Sequence, residues 1–300
     1  MSAEDREPAA ARPPAGFDAN AHRVASLENW EEAASGWVRR QELLRELAAP
    51  VSHWMIEAIA PQPGQRVLEL AAGLGETAML AAELVAPHGG VIVSDQAEAM
   101  LEGARARAVQ LGLSNVEFQV LNAEWIDLPV ASVEAVLCRW GYMLMADPAA
   151  ALAETRRVLA SGGRLALAAW DEIAHNPWAQ LPALELLERG LAAPPERSAR
   201  PLPGPFALGR PGLLAEVIEQ AGFAEVDVQA IELTRRHADF EDMWNTTLDL
   251  SRAFHDAVLS RPQADVAEIK ASLAERFARY TAPDGSLEVP GRTLVASASA

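Results

Sequence analysis

Between positions 66 and 170, apolar residues come in short runs separated by amphipathic stretches. Arg66 to Leu70, Val91 to Ser94, Val116 to Leu121, Val133 to Cys138 and Arg164 to Trp170 are short and rich in aliphatic residues, which predicts strands. Glu76 to Val85, Ala97 to Leu111 and Pro148 to Leu159 repeat their apolar positions at helical spacing, with Gly112 and Ser161-Gly162-Gly163 as stops. Strand followed by helix, repeated, predicts a doubly wound, Rossmann-like α/β sheet, mostly parallel, with helices on both faces.

The flanks have a different rhythm. Leu27 to Ala60 reads as helical through Trp30, Ala33, Ala34, Trp37, Val38, Leu43, Leu44 and Leu47, with an interruption expected at Pro50 and an end at Pro61. Beyond Trp170 come a helix at Leu181 to Gly190, a Pro-rich loop, a helix at Pro211 to Ala221 and a strand at Ala224 to Leu233. A helical stretch then runs from 239 to about 279, with Phe240, Trp244, Leu248, Phe254, Ile269, Leu273 and Phe277 apolar. Arg292 to Ser299 reads as a last strand, antiparallel beside the one at 224 to 233. The expected organisation is a disordered tail at 1–20, a helical lid at 21–62, a core at 63–170, an inserted cap segment at 171–208, a core continuation at 209–235, a helical cap at 236–288 and a final core strand at 289–300.

Half of the 300 residues are hydrophobic, enough for a large core. Lys plus Arg is 25 against 42 for Asp plus Glu, a net charge of −17, which sets the chain against nucleic acid and anionic membrane surfaces. The one cysteine, Cys138, lies in an apolar run, so it reads as a core residue and rules out an internal disulfide or a thiolate cluster. No stretch has the length of a membrane span or the pattern of a signal peptide, and the expectation is a reduced, cytoplasmic, soluble protein. No spacing of His, Asp and Glu predicts a metal site.

The main chemical signal is Val67-Leu68-Glu69-Leu70-Ala71-Ala72-Gly73-Leu74-Gly75-Glu76, which leaves a strand and opens a helix. Small residues at 71, 73 and 75 let the backbone turn tightly and come close to a ligand, and the helix start presents free N–H groups. A pyrophosphate or the amino-acid part of S-adenosylmethionine can occupy such a loop. Glu69 at the strand end suits a cationic ligand group and is unhelpful beside a pyrophosphate. Asp95 ends the next strand, where a carboxylate accepts hydrogen bonds from two ribose hydroxyls or caps the following helix, or does both.

With these residues in place, positions 64 to 170 resemble the class I S-adenosylmethionine-dependent methyltransferases, most of all the subgroup related to ubiquinone and menaquinone biosynthesis. The resemblance rests on the loop, on Ser94-Asp95-Gln96 with Met100, on Asn122-Ala123-Glu124, and on Arg156-Arg157-Val158-Leu159 running into Ser161-Gly162-Gly163-Arg164-Leu165. It implies S-adenosylmethionine as cofactor, with Glu69 holding the methionine amino group and Ala71, Gly73 and Gly75 lining methionine and ribose. Asp95 would bind the ribose, Gln96, Met100, Ala123 and Glu124 would surround the adenine, and Arg139 would sit near the methionine end. Asn122 belongs to the same set, although an acid is common there in the family, and Ala71 stands where the family usually has glycine.

Methyl transfer from a sulfonium chiefly needs alignment and exclusion of water. Trp30, Trp37, Trp140, Tyr142 and Trp170 fall at strand ends or on the lid and suggest a flat-walled site for a small apolar or aromatic acceptor of the methyl on C, O or N. For a base, His237 at the end of its strand and Tyr142 are the candidates, whereas His22 and His88 read as solvated. Two other readings stay open, an NAD(P)-dependent oxidoreductase using the same loop and a non-catalytic S-adenosylmethionine-binding protein. Nothing in the sequence speaks to oligomeric state.

Overall fold

The computed structural model describes residues 16–193 and 202–300, so most of the expected tail and part of the Pro-rich loop lie outside the described residues. Helix α1 (Ala19–Arg39) starts earlier than its apolar pattern, because the Asp18 carboxylate accepts from the N–H groups of Asn20 and Ala21. Helix α2 (Gln41–Ile59) follows after a break at Arg40, whose φ is −103° and ψ 14°. The expected break at Pro50 does not occur: Pro50 is carried inside α2 on its exposed side, while Leu47, Val51, Met55 and Ile59 bury the opposite stripe. Burial of that stripe outweighs the local cost of a missing backbone donor.

Strands and helices then alternate: β1 (Arg66–Glu69), α3 (Glu76–Val85), β2 (Gly90–Asp95), α4 (Glu98–Leu111), β3 (Val116–Val120), β4 (Val133–Arg139), α5 (Pro148–Val158) and β5 (Leu159–Trp170). β5 is longer than expected because the segment around Gly162, with φ +74°, is a bulge at the strand's start and the register against β4 jumps there. Next come α6 (Pro177–Glu188), α7 (Leu213–Gln220) and β6 (Ala224–His237), then α8 (Phe240–Leu250), α9 (Arg252–Leu259), α10 (Gln263–Phe277) and β7 (Leu287–Ser299).

The seven strands lie in the order β3-β2-β1-β4-β5-β7-β6, all parallel except β7, which runs antiparallel to both neighbours. Helices α2 and α3 touch each other and the sheet, and so do α5 and α7. This is the Rossmann-like α/β fold that the strand–helix rhythm predicts. β6 and β7 both exceed their expected lengths, since Leu287 to Arg292 continues past the end of β5 and pairs with Glu232 to His237 alone. Pro290 falls in that overhang, where β7 lacks a neighbour on one side.

The overhang belongs to a second core. Leu287 and Val289 pack with Leu181 and Leu186 of α6 and with Met243, Trp244, Phe254, Val258, Ile269, Leu273 and Phe277 of α8 to α10. The apolar stripe of the cap is therefore satisfied within the cap itself, not by the open end of the sheet. Helix α1 packs on α4 and on α8. At the second crossing a Cβ on Gly36 would lie 2.2 Å from the Asp249 carbonyl oxygen, so only glycine permits the approach. Arg39 and Arg40 both bind the Asp249 carboxylate there, and Arg40 also reaches Asp242.

Among the described residues no helix is long and apolar enough to cross a membrane. Asp171, Glu172 and His175 are the one group there that could hold a metal ion, a possibility the sequence spacing did not suggest. The Arg292 guanidinium already occupies that position, donating to the Asp171 carboxylate and contacting the His175 ring.

Candidate functional site

The loop after β1 is shaped by residues in left-handed conformation: Ala71 (φ +49°), Gly73 (+56°) and Gly75 (+75°). The two glycines serve different ends. A Cβ on Gly75 would press on Met79, Ala104 and Val93 at 3.0 to 3.4 Å, so Gly75 lets α3 start against the sheet. A Cβ on Gly73 would meet nothing within 4 Å, because Gly73 faces a cavity. Ala71 adopts the same left-handed region with a methyl group, and Gly141 gives way to it: a Cβ on Gly141 would lie 2.7 Å from that methyl and 2.6 Å from Cys138 Sγ. Trp140 next door also has positive φ, +60°. A large aromatic in this region stores backbone strain at the cavity wall.

The cavity encloses about 1060 Å³ of empty space, its open mouth included, at the C-terminal ends of β1, β2 and β4. That is the crevice where doubly wound sheets hold ligands. Of the residues singled out from sequence, Ala71, Gly73, Asp95, Gln96, Met100, Asn122, Ala123, Glu124, Arg139, Trp30, Trp37 and Trp140 line it together. Asp95 is buried, and its two oxygens accept from the N–H of Gly73 at 2.9 Å and of Ala97 at 3.0 Å. It thus ties the loop to the start of α4 while remaining on the cavity wall, and burial raises its pKa above the usual carboxylate range. Gln96 is held by Ser26 of α1 at 2.9 Å. Glu124 accepts from Ala146 N and pairs with Arg23 of α1, and Asn122 turns the chain by accepting from Glu124 N.

Glu69 and Gly75 lie one layer beneath the lining. The Glu69 carboxylate is 1% exposed, accepts from Ala78 N at 2.8 Å in the first turn of α3, and feels the Arg139 guanidinium. Burial pushes its pKa up to about 7, with Arg139 and the Ala78 N–H opposing. Arg139 donates to Thr77 Oγ1 at 3.1 Å and stands 4.9 Å over Trp140.

The raised pKa has a definite sign. Folding favours the protonated Glu69, so its contribution to stability is fully present below its ordinary value of 4.5 and is lost as pH rises through about 7. A cationic ligand group brought near it favours the carboxylate and expels the proton. Calorimetry of S-adenosylhomocysteine near pH 6.5 in buffers of different ionisation enthalpy is expected to show proton release that Glu69→Gln removes. Equal release by both proteins would detach Glu69 from the ligand's amino group.

Three expected residues lie elsewhere. Tyr142 is fully buried, with its hydroxyl on Thr155 Oγ1 at 2.5 Å and its pKa raised well above 10 by burial, so it faces neither cavity nor acceptor. His237 is outside the lining, beside Asp242 in the buried space between β6 and α8, and burial lowers its pKa. Trp170 does not line the cavity but stacks flat on Trp140, ring centres 4.4 Å apart. Conversely, α1 and α2 contribute His22, Arg23, Ser26, Gln41 and Leu44, which sequence patterning did not select. His22, expected to be solvated, is half-buried with Nε2 3.0 Å from the Leu144 carbonyl oxygen. Its position depends on a helix–loop contact across more than a hundred residues, for which local pattern holds no signal.

Residues 61–189 match the family model described as a methyltransferase domain. An aklanonic acid methyltransferase from Streptomyces sp. (strain C5) is 33% identical over 40% of this chain and 55% of its own length. A ubiquinone/menaquinone biosynthesis C-methyltransferase from Xanthomonas oryzae is 31% identical over 47% of this chain and 58% of its own. The chain thus spans somewhat over half the length of these curated relatives. A crystal structure from Bacillus halodurans, of a protein put forward as a methyltransferase, superposes with TM-score 0.52 at 21% identity, covering 83% of this chain and 97% of that one. It shares the fold.

Proposed function

We propose that the protein, whose residues 61–189 match the methyltransferase-domain family model, binds S-adenosylmethionine in the cavity over Gly73 and transfers its methyl group to a small, flat, apolar or aromatic molecule. The observation that carries the reading is the joining, in one cavity, of the loop residues Gly73 and Asp95 with an aromatic wall of Trp30, Trp37 and Trp140. Asp95 would accept the ribose hydroxyls, Met100, Ala123 and Glu124 would bracket the adenine, and Arg139 would receive the carboxylate of the methionine part. Glu69 beneath it would balance the amino group. S-adenosylmethionine supplies an activated methyl on a sulfonium, and the protein's part is to align the acceptor and keep water out. Helix α1 lies across the cavity through His22, Arg23, Ser26, Trp30 and Trp37, and so serves as the lid. His22, which lines the cavity, is the candidate base for an oxygen or nitrogen acceptor; a carbon acceptor already nucleophilic needs none.

A dinucleotide fits the same loop less well. Glu76, at the first turn of α3, lines the cavity where a pyrophosphate would lie, and Asp95 and Glu124 add two more carboxylates. The names of the relatives, an aklanonic acid methyltransferase and a ubiquinone/menaquinone biosynthesis C-methyltransferase, favour a small-molecule acceptor here too. Calorimetry is expected to show micromolar binding of S-adenosylmethionine and S-adenosylhomocysteine, about −8 kcal/mol, and none of NAD. Binding of NAD alone would overturn the reading. Binding of the sulfur ligands with no transfer of labelled methyl across a broad aromatic panel would leave a binding protein in its place.

A further inference from the structure

Helix α3 opens on Glu76 and Thr77, and Thr77 is fully buried, one layer below the cavity wall. Three elements meet at its hydroxyl. The Ser52 hydroxyl of α2 lies 3.0 Å from Thr77 Oγ1, and the Arg139 guanidinium at the end of β4 donates to it through Nε at 3.1 Å. The Glu69 carboxylate at the end of β1 bonds the same side chain, which favours its charged form. A guanidinium can only donate, so Thr77 Oγ1 accepts from Arg139 and keeps its own proton for Glu69 or Ser52. Ser52 and Glu69 are buried as well, and neither they nor Thr77 lines the cavity.

Arg139 is the member of this group that reaches the cavity. Its guanidinium lies 4.9 Å over the Trp140 ring, and Trp140 is itself fixed, by donation from Nε1 to Thr293 Oγ1 at 2.9 Å and by its stack on Trp170. A guanidinium is planar and rigid, so an anchored Nε and a ring against one face set where its Nη groups point. Among the described residues those two groups donate to no acceptor. Neither is fully enclosed, so both keep surface toward the cavity. Burial holds the pKa of Arg139 below its ordinary value, with Glu69 and Glu76 opposing.

We infer that Thr77, backed by Ser52, is a positioning residue for the cofactor: it holds Arg139 so that the two Nη groups meet the carboxylate of the methionine part. The inference rests on the reading of the cavity as an S-adenosylmethionine site, and it names the buried group that gives the site its grip on that carboxylate. A guanidinium matches a carboxylate with two parallel hydrogen bonds, and the match depends on the angle of its plane. Without the Thr77 hydroxyl, Nε would be left enclosed without an acceptor. The Glu69 carboxylate, whose charge Arg139 already feels, would then draw the guanidinium down from the cavity.

The test compares S-adenosylhomocysteine with decarboxylated S-adenosylhomocysteine by calorimetry on the full chain. The unaltered protein is expected to prefer the carboxylate form by about tenfold or more. Thr77→Val should cut that preference to about threefold or less by weakening S-adenosylhomocysteine alone. Thr77→Ser, which restores the hydroxyl, should keep the preference, and Ser52→Ala should fall between. A merely structural role would weaken both ligands equally, or lower the melting temperature and leave their ratio untouched. Either result in Thr77→Val overturns the inference. If Thr77→Val does not fold, Ser52→Ala decides, and a ratio there equal to that of the unaltered protein overturns it. Equal binding of the two ligands by the unaltered protein overturns the inference and leaves the S-adenosylmethionine reading standing, whereas binding of neither overturns both.

Discussion

A Gly73→Val protein is expected to fold and to bind S-adenosylhomocysteine at least about 100-fold more weakly. The two halves of this expectation come from two facts about one residue. The backbone at Gly73 has φ +56°, which a β-branched side chain resists, at a cost of ~1 to 3 kcal/mol. A Cβ there meets nothing within 4 Å, so the side chain extends into the cavity that the ligand needs. Gly75→Ala is the contrast. Its methyl would meet Met79, Ala104 and Val93, and the damage should appear as a lower melting temperature before it appears in affinity. Calorimetry and thermal melts on both variants check this. A folded Gly73→Val protein that binds as well as the parent would place the ligand elsewhere.

The second large effect is expected at Asp95, and here it has two parts. Asp95→Ala should weaken S-adenosylhomocysteine binding by about 2 to 3 kcal/mol through loss of charge-assisted hydrogen bonds. It should also lower the stability of the unliganded protein, because the N–H groups of Gly73 and Ala97 lose their acceptor. Asp95→Asn, which retains one oxygen, should fall between. An Asp95→Ala protein that melts lower but binds within threefold of the parent would reduce the residue to a structural tie.

The arrangement of the central sheet was legible because each strand and helix there carries its own periodicity and its own stop. Glu76 to Val85 is a helix within the limits its apolar spacing predicts. Where two signals compete locally the outcome depends on packing at a distance. Pro50 should break a helix, yet the buried stripe from Leu47 to Ile59 holds α2 straight through it. β6 reaches His237 because β7 is there to pair with it, which nothing in residues 234 to 237 reveals. The part of the cavity lining that belongs to the sheet was legible for a related reason: its residues sit on turns directly after strands, and the sheet brings strand ends together. The rest of the lining comes from α1 and α2, which are brought in by long-range contacts. His22 was therefore missed, while His237 and Tyr142, chosen for chain position, are turned away from the cavity.

The crossing at Gly36 bears on how this protein can be re-engineered. Helix α1 roofs the cavity, and it is fastened to α8 by backbone contact and by the Arg39 and Arg40 pairs with Asp249 and Asp242. Part of the cavity wall and the first helix of the cap are thus a single packed unit, though some two hundred residues of chain separate them. A chimera that exchanges only the cap, residues 236–288, for a relative's would bring a foreign side chain or a missing carboxylate to that junction. Exchanging the cap calls for residues 16–40 to travel with it, leaving the sheet and its glycine loop as the unchanged chassis.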